Sequence, residues 1–291
     1  MQYKVISFTV PKEYDGDIAK NFLKRYCKIS TAALISLKNT ELGITRNGKL
    51  LKVIDKVYEN DVIKIKLAPD KNEIIATKGT LDILYEDDYV IVINKPYNMP
   101  VHPTKIHQEN TLANFLKYYS DQKGEKYTFR AINRLDKDTS GIVIVAKDRY
   151  CAANLGKNIQ KTYCAVCEGI IKESGTVDAP IKIKDGHTIE REISPLGQRA
   201  VTHFKPIKHS KGHTLLEITL ETGRTHQIRC HLASISHPLA GDDMYGGSLR
   251  FIKRQALHCR GSTFLHPITN KLININTEIP VEFLNILRED K

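Results

Sequence analysis

Five short runs rich in β-branched residues recur through the later part of the chain: VIVIN (90–94), GIVIVAKD (141–148), YCAVCEG (163–169), HTLLEITLETG (213–223) and KLININTEIP (271–280). Runs of this length, bounded by polar or turn-forming residues, read as strands. Helical stretches interleave, around TLANFLKYYS (111–120) and again after His226. No period of 20–50 residues repeats, which excludes a solenoid. The pattern predicts an α+β domain built around a large mixed or antiparallel sheet.

The first 75 residues read as a separate unit. DGDIAKNFLKRYCKIS carries Ile18, Phe22, Leu23 and Tyr26 at helical spacing, with Asp15 or Asp17 placed to cap it. After Ser30, TAALISLKN reads as a second short helix with Ala32, Leu34, Ile35 and Leu37 in it. ITRNGKLLK then sets Asn47-Gly48 between Ile44 and Leu50, a strong hairpin signal because both central residues of the tightest turn need positive φ. Val62, Ile63, Ile65 and Leu67 nearly alternate with Lys64 and Lys66 in the closing strand. DKNEIIATKGT (70–80) is polar and marks the linker. At about 150 residues per domain, the 291 residues suggest two domains. The expected division is a small α+β module over 1–75 and the larger domain over 80–291.

Lys and Arg number 44 against 33 Asp and Glu, a net charge of +11. Such a surplus favours polyanionic partners, nucleic acid first. The surplus is shared, since residues 1–75 hold 14 Lys and Arg against 9 Asp and Glu. With 41% hydrophobic residues, wholesale disorder is excluded. No run approaches the ~18 apolar residues of a membrane span, and Lys4 and Lys12 interrupt the opening too early for a secretory signal. A cytoplasmic protein with no membrane partner is expected. Its six cysteines should then be reduced thiols. Cys164 and Cys167 form a CxxC, but no second pair follows at zinc spacing. Their odd separation in a strand sends them to opposite faces, so no metal site is expected. Neither GxxxxGKS nor GxxxxGKT occurs, which argues against a nucleoside-triphosphate site.

RLDKDTSGIVIVAKD (134–148) is the stretch richest in chemistry. Asp136 stands just before a turn and an apolar strand, with Arg134 beside it. A carboxylate so placed can remain ionised and act as nucleophile or base. On composition alone, an Asp capping a turn and an Arg solvated on a loop is the plainer reading.

A resemblance reverses that reading. RLDKDTSG resembles the catalytic signature of the RluA-type pseudouridine synthases. Four further stretches resemble that family's motifs in the same order. They are Asn94-Lys95-Pro96 with Val101-His102-Pro103, Lys161-Thr162-Tyr163 through Gly169, LETGRTHQIRCHLASISHPLAGDDMYGG (220–247), and RQALHC (254–259) with LHPITNK (265–271). One departure is Asn133, where the family usually has His. Residues 1–75 resemble the alpha-L RNA-binding domain first seen in ribosomal protein S-four, through the helix pair, the Asn47-Gly48-Lys49 hairpin and the final KIK strand. There Asn60-Asp61 replaces the usual Gly-Asp and Ser30-Thr31 the usual Ser-Arg.

The resemblance implies a catalytic domain of the pseudouridine synthase fold and isomerisation of specific uridines in structured RNA. Asp136 would attack the target uridine. Arg229 would pair with Asp136, and Tyr163 would pack against the uracil and help remove the proton from carbon 5. Arg134 would enter the stack where the base is extruded, and Arg224 and His226 would contact the RNA. Whether Asp136 attacks the sugar, attacks the base or deprotonates the sugar stays open. The reaction moves a glycosidic bond from nitrogen 1 to carbon 5 without oxidation or hydrolysis, so no cofactor and no metal are expected. In this family an added alpha-L domain implies ribosomal RNA, large subunit first, with transfer RNA second. A monomer without an obligate protein partner is expected. The competing functions are a non-catalytic RNA-binding ribosome-assembly factor of the same fold, and a glycosidase that would release free uracil.

Overall fold

The structure is a computed structural model that describes residues 4–67, 74–104, 108–125, 128–156 and 159–289. At the N-terminal end, β1 (Lys4–Thr9), β2 (Ile44–Arg46), β3 (Lys49–Leu50) and β4 (Val62–Leu67) form an antiparallel sheet in the order β1-β4-β2-β3. Asn47 and Gly48 take φ of 49° and 85°, so the turn joining β2 to β3 has the positive dihedrals it needs. Helices α1 (Ala19–Arg25) and α2 (Thr31–Lys38) bury Phe22, Leu23, Leu34 and Leu37 with Ile6, Ile63 and Ile65 of the sheet.

Two local expectations do not hold. Neither Asp15 nor Asp17 occupies the cap position of α1, which falls to Ile18 with no side-chain cap bond. Asp17 instead accepts from the Ile18 N–H at 2.6 Å and from the Asn21 side chain at 2.8 Å. Ile18, Tyr26 and Ile35 are exposed, because helices of seven and eight residues offer only a narrow stripe to a sheet this small. Ser30 does cap α2, accepting from Ala33 N–H at 3.2 Å. Of the linker at 70–80, residues 70–73 lie outside the described residues.

The rest of the chain folds around a ten-stranded sheet. Its strands are β5 (Ile83–Glu86), β6 (Val90–Lys95), β7 (Arg130–Ala131), β8 (Ser140–Ala146), β9 (Gln160–Glu168), β10 (Gly175–Asp178), β13 (Val201–His209), β14 (His213–Leu220), β15 (Leu257–Leu265) and β16 (Leu272–Asn276). A separate pair, β11 (Ile181–Ile183) and β12 (Arg191–Ile193), makes a short antiparallel hairpin. Helices α3 (Leu112–Gln122), α4 (Arg149–Leu155), α5 (Gln227–Ser234) and α6 (Val281–Glu289) complete the chain. The main path is β10-β13-β14-β9-β15-β8-β6-β5, with β16 beside β15 and β7 beside β8. Among the described residues only β8 and β15 pair in parallel, which makes the sheet mixed as expected.

Gly141 explains how that one parallel contact closes. Its φ is +113°, and a Cβ there would stand 2.3 Å from the Cys259 carbonyl oxygen. Every residue of β8 is buried, so both faces of the central strand are covered and its sequence is continuously apolar beyond Ser140. Cys164 and Val166 of β9 face one core, with Phe283, Ile286 and Leu287 of α6. Tyr163, Ala165 and Cys167 face the other. The CxxC cysteines thus do lie on opposite faces, and burial pushes each thiol up to about 12.

The N-terminal sheet is joined to the large one by packing. The Phe8 and Tyr150 rings meet edge to face at 5.8 Å, and Lys4 Nζ stands 3.0 Å from the Asp148 carboxylate. Asp148 also caps α4 by accepting from Cys151 N–H at 2.7 Å. No described helix is long and apolar enough to cross a membrane.

Candidate active site

The loop between β7 and β8 carries Asp136 and is held by its backbone from three directions. Asn133 is buried and works as a peptide surrogate: its amide donates to Ile142 O and accepts from Ile144 N–H, both at 2.9 Å. The residue that departs from the expected His thus ties the loop to β8. Lys95, at the end of β6, is fully buried and donates to Pro96 O and Met99 O at 2.8 Å and to Lys137 O at 3.1 Å. Burial lowers its ammonium to about 7, opposed by the charges of Asp138 and Asp136. Arg254 approaches from the β15 side and donates to Asp138 O at 3.1 Å and Ser140 Oγ at 3.3 Å. It is fixed by Glu282 of α6 at 2.9 Å and lies near the rings of Tyr97 and Phe283. These cations engage main-chain carbonyls flanking Asp136 and not its carboxylate, which is 28% exposed.

Helix α5 supplies the partner. His226 precedes it in the left-handed conformation at φ 56°, which turns the chain sharply into the helix. Three residues on, the buried Arg229 forms a two-pronged bond to Asp242, Nε to Oδ2 at 2.6 Å and Nη2 to Oδ1 at 2.7 Å. Its remaining Nη1 reaches Asp136 Oδ2 at 3.4 Å, across 93 residues of sequence. Burial works against the guanidinium charge, but Asp242 and then Asp136 outweigh it, and the net shift is upward. Asp242 is 1% exposed and takes the two short bonds, while Asp136 receives one long one. Arg229 therefore orients Asp136 without saturating it.

His226 Nε2 stands 3.8 Å from the same Asp136 oxygen, and its Nδ1 is 3.1 Å from the Tyr245 hydroxyl. Burial holds this imidazole below its ordinary value, and Arg229 and Arg191 push the same way against Asp136 and Asp242. The Arg229 guanidinium lies 5.0 Å from the Tyr245 ring centre. Tyr163 comes from β9, opposite Cys259 of β15, which in turn pairs with Gly141 of β8. It is 6% exposed, and burial drives its hydroxyl well above the ordinary range, with Cys259 and Asp136 adding to the effect. The phenol thus stays neutral, and Tyr163 offers a flat wall within electrostatic reach of the carboxylate.

Of the residues singled out by sequence, Asp136, Arg229 and His226 converge, and Tyr163 is close by. Arg134 and Arg224 lie exposed, Arg224 donating to Arg199 O at 3.2 Å. Sequence reasoning assigns no role to Asp242, Tyr245, Lys95 or Arg254, although all four stand inside the motif stretches. The signal available for Asp242 is an acid following Leu-Ala-Gly, an apolar setting that a charge occupies only with a partner. A cleft of 540 Å³ is lined by Lys95, Tyr97, Ser140, Arg254 and Glu282 among others. Asp136 does not line it, so that cleft touches the supports of the loop and not its carboxylate.

Residues 89–234 match the family described as RNA pseudouridylate synthase. The uncharacterized RNA pseudouridine synthase YhcT of Bacillus subtilis (strain 168) is 36% identical over 292 residues, covering 97% of this chain and 96% of the relative. The ribosomal large subunit pseudouridine synthase D of Escherichia coli O157:H7 is 36% identical over 268 residues, 84% of this chain and 82% of its own. Among solved structures, human RNA pseudouridylate synthase domain containing 4 superposes with a TM-score of 0.57 at 25% identity, over 71% of this chain and 92% of that one.

Proposed function

The chain belongs to the RNA pseudouridylate synthase family and is an isomerase, and from that premise we propose that it converts uridines of large-subunit ribosomal RNA to pseudouridine with Asp136 as the catalytic residue. The observation that carries the reading is the approach of Arg229 Nη1 to Asp136 Oδ2 at 3.4 Å. Isomerisation breaks the bond from the sugar to nitrogen 1, turns the base and rejoins it through carbon 5. It needs a carboxylate, a cation to orient it, a wall for the base and a site that excludes water. Asp136, Arg229 and Tyr163 supply the first three. Attack on the sugar, attack on the base and deprotonation of the sugar all draw on the same carboxylate, and the geometry serves each.

The target must leave its stack at a cost of a few kcal/mol. Arg134, exposed two residues before Asp136, fills the vacated space and stacks on the flanking bases. Arg224 and His226 contact the RNA at the start of α5. Residues 1–75 place the substrate, with Lys49 and Lys64 exposed on their sheet for phosphate contact. Relatives named ribosomal large subunit pseudouridine synthase D, matched over most of their length, support ribosomal RNA as the substrate.

Release of tritium from carbon-5-labelled uridine RNA tests the assignment. Asp136→Asn keeps the shape and removes the carboxylate, so turnover should vanish while RNA binding persists. Turnover within tenfold of the parent would sink the role of Asp136. Mapping pseudouridines in total RNA with and without the gene tests the substrate, and losses confined to transfer RNA would overturn the ribosomal reading.

A further inference from the structure

The hairpin of β11 and β12 packs beside the site and is bonded to it. Arg191 N–H donates to the Tyr245 hydroxyl at 2.8 Å, and that hydroxyl is 3.1 Å from His226. The hairpin is rich in cations, and most of them are already neutralised. Lys182 is held by Asp185 at 2.9 Å and Glu192 at 3.1 Å, and Lys184 by Glu190 at 2.6 Å. Arg191 differs. Among the described residues its side chain makes no ion pair, and its buried Nη1 has no hydrogen-bond partner.

A guanidinium donor kept out of water without an acceptor is costly in the free protein. Here the cost is carried close to His226, which itself faces the catalytic carboxylate. The other buried guanidinium of this neighbourhood, Arg229, is shared between two carboxylates, Asp242 and Asp136. Arg191 has no such acid. Its charge is nevertheless felt at His226, whose imidazole it helps to hold neutral. Nη1 is sealed, but the residue as a whole is only part-buried, so a guest reaches the guanidinium through its outer nitrogens. The chemistry that completes it is a singly charged pair of oxygens in fixed geometry, which is what an RNA phosphodiester presents to a forked donor.

We propose that Arg191 binds a backbone phosphate of the RNA beside the extruded uridine, and so sets substrate affinity from the β11–β12 hairpin. The inference rests on the reading of Asp136 as the catalytic centre. The phosphate supplies the counter-charge that Arg191 lacks and leaves the Tyr245–His226 contact in place. It also spares the lysines of the hairpin, which keep their own carboxylates.

Full-length protein with Arg191→Gln, Arg191→Lys and the parent would be compared in tritium release and in RNA binding across a salt series, using a carbon-5-tritiated fragment of large-subunit ribosomal RNA. Removing one charge-assisted bond should raise KM about tenfold or more, with kcat nearly unchanged. The slope of log affinity against log salt should flatten by about 0.7. Arg191→Lys keeps the charge and should restore the slope while recovering only part of the KM, because an ammonium has no fork. An Arg191→Gln protein with parental KM and parental slope would overturn the proposal. So would a fall in kcat at constant KM, which would mark Arg191 as a support of the hairpin and not a phosphate ligand. Absence of turnover by the parent itself would count against the activity, and is thereby distinguishable from failure of Arg191 alone.

Discussion

Asp242 decides how Arg229 treats Asp136. By taking two short bonds it leaves a single long one for the half-buried Asp136 carboxylate. Asp242→Asn should therefore lower kcat by about tenfold or more, equivalent to about 1.4 kcal/mol of barrier, with KM close to the parent. Breaking a buried pair on one side should also cost about 3–5 kcal/mol of stability, measured by denaturant unfolding. A parental kcat in a folded Asp242→Asn protein would show that Arg229 needs no anchor. Asp136, Tyr163 and Arg229 are visible in the sequence because each sits in a stretch whose spacing resembles known motifs. Asp242 is silent there because a side chain's partner is a fact of three dimensions: the loop that returns Asp242 to α5 is spelled out in Leu-Ala-Gly-Asp, but the hydrogen bonds are not. Lys95 is hidden for the same reason, since its acceptors are main-chain carbonyls that any residues would provide.

Between elements, two contacts give separate tests. Gly141 lets β8 lie against β15, and Gly141→Ala would force a Cβ at φ +113° to within 2.3 Å of a carbonyl oxygen. A loss of roughly 2–4 kcal/mol in denaturant unfolding is expected, with activity falling because Asp136 and Tyr163 are aligned through those strands. Glu86 of β5 binds Lys147 and Lys123 at 2.8 Å and the Tyr119 hydroxyl of α3 at 2.6 Å. Burial alone would raise its carboxyl, but these donors outweigh it and hold it at about 2, against an ordinary 4.5. The folded value lies below the unfolded one, so the stabilisation is complete above about 4.5 and is lost as pH falls through about 2. Lys147→Met should lower Tm at neutral pH and flatten its decline across that acid window. Strands with continuous β-branched runs are legible from sequence, as is α3 from its amphipathic spacing. Helix α6 carries the same amphipathic spacing, with Phe283, Ile286 and Leu287 on one face just after Pro280, a signal the sequence offers and a reading by strands passes over. The β11–β12 hairpin has only three residues per strand and offers none.

For the whole molecule, the division of labour between the small sheet and the large one can be tested without cutting the chain. If the N-terminal module places RNA, Lys49→Glu with Lys64→Glu should flatten the salt dependence of binding by about 0.7 for each phosphate no longer neutralised, with Tm unchanged because both side chains are exposed. An unchanged slope would leave the module with a purely structural role. Deletion of residues 1–75 is a harsher change, since it uncovers Tyr150 where Phe8 now packs and frees Asp148 from Lys4. The truncated chain should unfold at lower denaturant than the intact protein. The six buried cysteines add a use that their seclusion from solvent suggests. Cys27 sits in the small module, Cys151 at the seam, Cys164, Cys167 and Cys259 in the large sheet and Cys230 in α5. A thiol that cannot be alkylated until its surroundings open is a built-in clock, and the order in which the six acquire label would chart which part of the molecule comes apart first.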